Sequence, residues 1–276
     1  MQINLDAEID ITYKESYVAF LDVLGFKNMV FSQDNAKLKQ YFGVVNSVIE
    51  YLKDIEAKRN IGSIIISDSI ILTVPHGRTK EENIEILRSL CIAVGLIQQN
   101  LALKDIWLRG AISSGKTYFN SNNNQIVGPA YINAYLLEEK LAIHPRVILD
   151  SKIITELGFS TAMDFIQALN QSDSLYYTNW GKRILFNWNS LPPQNRVDEI
   201  KQDVPLFIDY LSSLFDKTEK EKILRIVGNI EANIYKDVNI YKKYRWVTDY
   251  FKTLLISAEF GHAFSDDEIS QKILNL

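Results

Sequence analysis

Cysteine occurs once in this chain, at Cys91, which rules out a disulfide within it. Cys91 lies in the apolar run Leu90-Cys91-Ile92-Ala93-Val94, a context that predicts a small buried hydrophobe, not an activated thiol. Histidine is also scarce: His76, His144 and His262 are scattered without ligand spacing, against a zinc site. Proline (6) and glycine (12) are few among 276 residues, and no Pro-, Gly- or Ser-rich linker divides the chain. A basic excess is missing, since 30 Lys and Arg face 34 Asp and Glu, for a net charge of −4. That balance argues against a nucleic-acid partner, which needs a basic face. It leaves room for a single nucleotide held by metal ions and backbone N–H groups. No apolar run reaches the roughly 20 residues of a membrane helix. The start, MQINLDAEID, lacks the basic residues and apolar core of a signal peptide. The expectation is a cytoplasmic protein with no membrane contact.

What is present is core material. Apolar residues form 47% of the chain and charged ones 23%, which excludes global disorder. Tyr17–Leu21 is an apolar run too short for a helix, bounded by Asp22 and Gly25, and predicts a strand. Leu38, Tyr41, Phe42, Val45, Val48, Ile49 and Leu52 recur at helical spacing between about Asn35 and Ala57. Ile61–Val74 reads as a hairpin turning at Ser67-Asp68-Ser69. A helix begins at Thr79 or Lys80 and runs through Leu101. Trp107–Phe119 is a strand pair or one long strand, followed by a polar Asn-rich loop. Gly128-Pro129 opens a helix through Leu141, and Arg146–Asp150 is a further strand. The order β-α-β-β-α-β-α-β is that of a ferredoxin-like α+β sandwich. Beyond Asn170, a hairpin over Leu175–Trp188 and three helices are expected, near Arg196–Phe215, Glu219–Tyr235 and Asn239–Ala258. Tyr235, Tyr241, Tyr244 and Trp246 lie among lysines, and a packed helix with solvated lysines is the expected arrangement.

The chemistry points to two carboxylates. Asp22 follows the first apolar run and Asp68 sits in the hairpin triplet. Taken singly, Asp22 suits an N-cap and Asp68 a turn. Taken together, with Asp22 ending the first strand and Asp68 at the turn beside it, both carboxylates point into one volume. Their mutual repulsion there is relieved by divalent cations with oxygen preference, Mg²⁺ or Mn²⁺. Gly25, just after, lets backbone N–H groups approach phosphate oxygens.

The stretch FLDVLGF (Phe20–Phe26), followed by a hairpin carrying SDS, resembles the catalytic core of class III nucleotidyl cyclases. LRGAISSGK (Leu108–Lys116) and GPAYINAYLLEEKLAIHPRVILD (Gly128–Asp150) resemble one divergent branch, the bacterial Pycsar pyrimidine cyclases of anti-phage defence. The resemblance covers Tyr17–Asp150, about half the chain. It implies a class III cyclase-like catalytic domain over residues 1–160, and a C-terminal hairpin and helical extension over 161–276 packed on it. It implies conversion of UTP to 3′,5′-cyclic UMP and pyrophosphate, with CTP, or nucleotide binding without catalysis, as alternatives. It assigns two Mn²⁺ or Mg²⁺ ions to Asp22, Asp68 and the Val23 carbonyl. Phe20, Leu24, Gly25 and Phe26 would line the triphosphate, largely through main-chain groups. A homodimer with composite sites is also implied, the helix around Asn133 coming from the second protomer.

Two departures stand out. The purine-reading lysine of conventional members falls near Ile64, which fits a pyrimidine substrate. The arginine expected one helical turn after Asn133 is Leu137. Arg109, Lys116, Lys140 and Arg146 are the candidates to replace it, with Arg109 taken as the catalytic one. Glu138 and Arg146 are expected to form a structural ion pair.

Overall fold

The computed structural model of the protein describes residues 10–55, 61–170, 183–186, 206–216, 219–256 and 267–276. Strand β1 spans Lys14–Leu24, longer at both ends than the apolar run alone marks. Helix α1 (Phe26–Phe31) follows directly, burying Phe26 and Met29 one turn apart, and α2 runs from Asn35 to Ile55. The hairpin is β2 (Gly62–Ile66) and β3 (Ser69–Pro75), as its alternating isoleucines predict. Helix α3 covers Lys80–Ala102. Thr79 caps it by accepting from the Glu82 N–H, while the Glu82 carboxylate accepts from the Thr79 N–H, a reciprocal capping box.

Strand β4 is one long strand, Trp107–Asn120, not a pair. It turns through Asn120–Gln125 into β5 (Gln125–Val127), with the Asn120 side chain accepting from the N–H groups of Asn122 and Asn123. Helix α4 is Pro129–Leu141 and β6 is Val147–Leu149, followed by α5 (Lys152–Glu156) and α6 (Ala162–Asn170). The C-terminal part contributes β7 (Leu185–Phe186), β8 (Phe207–Ile208), α7 (Ser212–Asp216), α8 (Lys220–Asn233), α9 (Val238–Ile256) and α10 (Asp267–Asn275).

Among the described residues the sheet has eight strands, in the order β2-β3-β1-β4-β6-β8-β7, with β5 paired to β4 alone. The first four neighbours are antiparallel, as a ferredoxin-like α+β sandwich requires, whereas β4 and β6 run parallel. The α+β expectation therefore holds, and the sheet is mixed. Strands from both sides of residue 160 share it.

One expectation fails. A helix over Arg196–Phe215 holds only at its end, Ser212–Phe215 within α7, and is contradicted at Phe207–Ile208, a strand paired with β6 and β7. Leu206 and Ile208 enter one core cluster and Phe207 the opposite one, the period-2 alternation of a strand. A short apolar run buried on both sides carries no periodicity that separates strand from helix. The turn expected near Asn179–Lys182 lies outside the described residues.

Three apolar clusters result. The largest packs α2, α3 and α6 on one sheet face. Helix α3 has the length and hydropathy to cross a membrane, yet most of it is buried in this core, Cys91 included. A second cluster joins α7–α10 to β6 and β8. The third is small: Val18, Phe20, Ile64 and Ile71 beneath Ala130 and Ala134 of α4.

Candidate active site

Side chains alternate along β1, so Asp22 shares a face with Val18 and Phe20. Its register partners are Ser69 of β3 and Arg109 of β4. The two-residue turn Ser67-Asp68 joins Ile66 to Ser69 and leans on the end of β1, where the Val23 N–H donates to the Asp68 carbonyl at 3.1 Å. Ser67 has φ 57°, a left-handed conformation that favours glycine and costs a serine roughly 1–2 kcal/mol. Asp22 and Asp68 are both half-buried and lie within electrostatic reach of one another.

Charge is concentrated here. Arg109 Nε donates to Asp22 Oδ2 at 3.1 Å and lies 2.7 Å from Glu138 Oε1 on α4. The second contact is ionic only, because Glu138 Oε1 is buried without a hydrogen-bond partner. Glu138 stands on the same face of α4 as Ala130 and Ala134, and only 3% of it is exposed. Burial pushes its carboxyl up to about 7, opposed by Arg109 and reinforced by Asp22, Glu139 and Asp68. Burial likewise raises Asp22, against the hydrogen bond and charge of Arg109, with the Asp68 charge adding to the rise. Tyr41 Oη is buried without a hydrogen bond, and burial together with the Asp68 and Asp22 charges keeps its phenol protonated. Glu138 was expected to pair with Arg146; its ion-pair contact here is with Arg109. The Arg146 guanidinium donates to the Leu141 carbonyl and faces the Trp246 ring.

The remaining candidates divide. Leu24 and Gly25 line a cavity of about 330 Å³ that also takes in Asn28, Trp107, Lys243 and Tyr244. Gly25 is left-handed at φ 79°. Phe20 instead packs edge-on against Tyr131 and Tyr135, and Phe26 against Tyr41, so both rings belong to the core. Asn133 is half-buried on α4 of the same chain, while Lys116 and Lys140 are exposed. A place at the site was not foreseen for Glu138, expected only to pair with Arg146, for Tyr41, read only as a core position of a helix, or for Lys243. For Glu138 a signal existed, an acid at i+4 from Ala134 and i+8 from Ala130, on one helical face. Lys243 offered none.

Among the described residues no group of three or more His, Cys, Asp or Glu side chains is arranged to hold a metal ion. An ion held by Asp22 and Asp68 would have to complete its shell with oxygens from a ligand and water, as Mg²⁺ commonly does.

Neither a protein-family profile nor a curated protein matches the chain. Similar solved structures include the adenylyl cyclase CyaB from P. aeruginosa, with 13% identity, TM-score 0.39, and coverage of 53% of this chain and 82% of that one. The guanylyl cyclase domain of a RhoGC fusion protein from the aquatic fungus Blastocladiella emersonii has 16% identity, TM-score 0.37, and coverage of 52% and 82%. A bacterial light-regulated adenylyl cyclase has 11% identity, TM-score 0.41, and coverage of 76% and 99%.

Proposed function

We propose that this protein is a metal-dependent nucleotidyl cyclase acting on a pyrimidine nucleoside triphosphate, with UTP the preferred substrate. The observation that carries the reading is the approach of Asp22 and Asp68, tied together by the Val23 N–H to Asp68 carbonyl bond, two residues before the Gly25 that lines a cavity. Asp22, Asp68 and the Val23 carbonyl would hold two Mn²⁺ or Mg²⁺ ions. When bound, such ions neutralise the triphosphate and ease deprotonation of the ribose 3′-hydroxyl.

The chain's own residues then position the reaction. The 3′-oxygen attacks the α-phosphorus in line, a P–O bond forms, and the bond to the departing pyrophosphate breaks. Leu24 and Gly25 border the polyphosphate, where the absent Cβ of Gly25 leaves the backbone open. Arg109 holds Asp22 in place, and Ile64, apolar and buried, withholds the hydrogen bond a purine would want. The cyclic product, cyclic UMP or cyclic CMP, fits a second messenger of anti-phage defence, as the sequence resemblance implies. A second protomer is part of this reading. Ile66, Val127, Ile132 and Tyr135 expose apolar surface around the same sheet face, from 41% for Tyr135 to 58% for Ile66.

A second reading, nucleotide binding without turnover, draws on Arg109, whose charge is committed to Asp22 and Glu138. Incubation with each of the four ribonucleoside triphosphates and Mn²⁺, followed by product identification, separates the two. We expect cyclic UMP and pyrophosphate. Asp22→Ala and Asp68→Ala should each lose at least about a hundredfold in rate while keeping the fold, as removal of a group stabilising transition-state charge does. Undiminished cyclisation in either variant would refute the metal assignment; metal-dependent nucleotide binding without pyrophosphate release would establish the second reading.

A further inference from the structure

The cavity lined by Leu24 and Gly25 is walled on one side by Asn233 of α8 and Ile240, Lys243 and Tyr244 of α9. Two lysines line it, Lys37 and Lys243. Lys37 is spent: its ammonium contacts the Asp105 carboxylate at 3.0 Å and the Asp105 carbonyl at 3.3 Å. The Asp105 carboxylate also accepts from Trp107 Nε1, Asn233 Nδ2 and Tyr244 Oη. That network ties α2, α8 and α9 to the start of β4 and fixes the cavity wall. Asp34, also in the wall, accepts from the Lys37 backbone N–H at the head of α2.

Lys243 is different. It is half-buried on α9, and among the described residues its ammonium has no hydrogen bond or ion pair. It lies within electrostatic reach of Asp22 and Arg109, the pair at the head of the proposed metal site. Its flanking residues fix its direction: Tyr244 is buried against Trp107 and bonded to Asp105, while Lys242 is exposed. A partly desolvated ammonium without an acceptor is costly unless a ligand supplies one. Polyphosphate oxygens are such acceptors, and a charge-assisted bond in a half-buried site outweighs a neutral one.

We propose that Lys243 is a substrate-gripping residue: α9 delivers its ammonium in cis to the phosphates remote from the ribose, so the C-terminal helices complete the polyphosphate site. The inference rests on the cyclase reading for the identity of the ligand, but it is tested without turnover. Inorganic tripolyphosphate with Mg²⁺ is titrated calorimetrically into the full-length protein and into Lys243→Met, Lys243→Arg and Lys242→Met. Circular dichroism and thermal melts check each fold. We expect Lys243→Met to weaken binding about tenfold or more, the size of a lost charged hydrogen bond. Lys243→Arg should restore most of it, and Lys242→Met should match the parent protein. In the nucleotide assay Lys243→Met should raise KM more than it lowers kcat. No tripolyphosphate binding by the parent protein, equal binding by Lys243→Met, or a lowered melting temperature with unchanged affinity would each overturn the proposal. Failure of every nucleoside triphosphate to cyclise, with tripolyphosphate binding intact and dependent on Lys243, would instead overturn the cyclase reading alone.

Discussion

Along β1 alternate side chains enter two different worlds. Tyr17, Ala19, Leu21 and Val23 point into the large cluster under α2 and α3, where each is at most 2% exposed. Val18, Phe20 and Asp22 point the other way, under α4, into a small cluster that ends in Arg109, Glu138 and Asp68. One face is closed by apolar packing, which supplies stability. The other is thinly covered, so it can hold half-buried charge and remain open to a ligand. Leu21 and Asp22 are sequence neighbours with opposite duties.

The contrast breaks first if Asp22 proves structural. Activity should collapse in Asp22→Ala, whereas Leu21→Ala should leave the site's chemistry in place and cost about 3–5 kcal/mol of stability, the range for a fully buried leucine. Urea unfolding of both variants checks this; a severely destabilised Asp22→Ala would merge the two faces.

Glu138 sharpens the comparison next. Its carboxyl sits at about 7 in the folded protein, well above its ordinary value, because burial disfavours the charge. The folded state thus binds a proton more tightly than the unfolded chain. The stabilisation is fully present at acid pH, below the unfolded value, and is lost as pH rises through about 7. Glu138→Gln should flatten this dependence, with a difference on the order of 3 kcal/mol between pH 4.5 and 8. Equal pH slopes of the urea midpoint in parent and variant would show that Glu138 is not held in this way.

The smallest stability effect belongs to the open rim. Ile66→Ser combined with Ile132→Ser should change protomer stability by no more than about 0.5 kcal/mol, as exposed substitutions do. The same pair should weaken self-association at least about tenfold, read by sedimentation equilibrium. A monomeric parent protein would remove the second protomer from the site.

Much of the frame was legible from local pattern. The helix start at Thr79 or Lys80, the isoleucine hairpin and the apolar run before Asp22 are short-range features whose physics is complete within a few residues. Asp22 and Asp68 were legible for the same reason, since strand end and hairpin turn are both local. The strand at Phe207–Ile208 was not, because burial on both faces erases the alternation that marks a half-buried strand. Helix α1 could be read only as helix or loop after Gly25, because six residues carry too little periodicity to decide.

By itself, then, the sequence determined which segments become strands and helices, where the chain turns, and that two aspartates stand at the ends of such segments. Backbone propensity and side-chain period act over a few residues, and that is enough for those decisions. Only the tertiary structure decided that Arg109 would bridge Asp22 and Glu138, that Lys37 would be neutralised by Asp105, and that Lys243 on α9 would face the same cavity as Gly25. Those partners lie far apart in sequence. Electrostatic and packing forces between them exist only once the sheet has formed and the helices have docked on it.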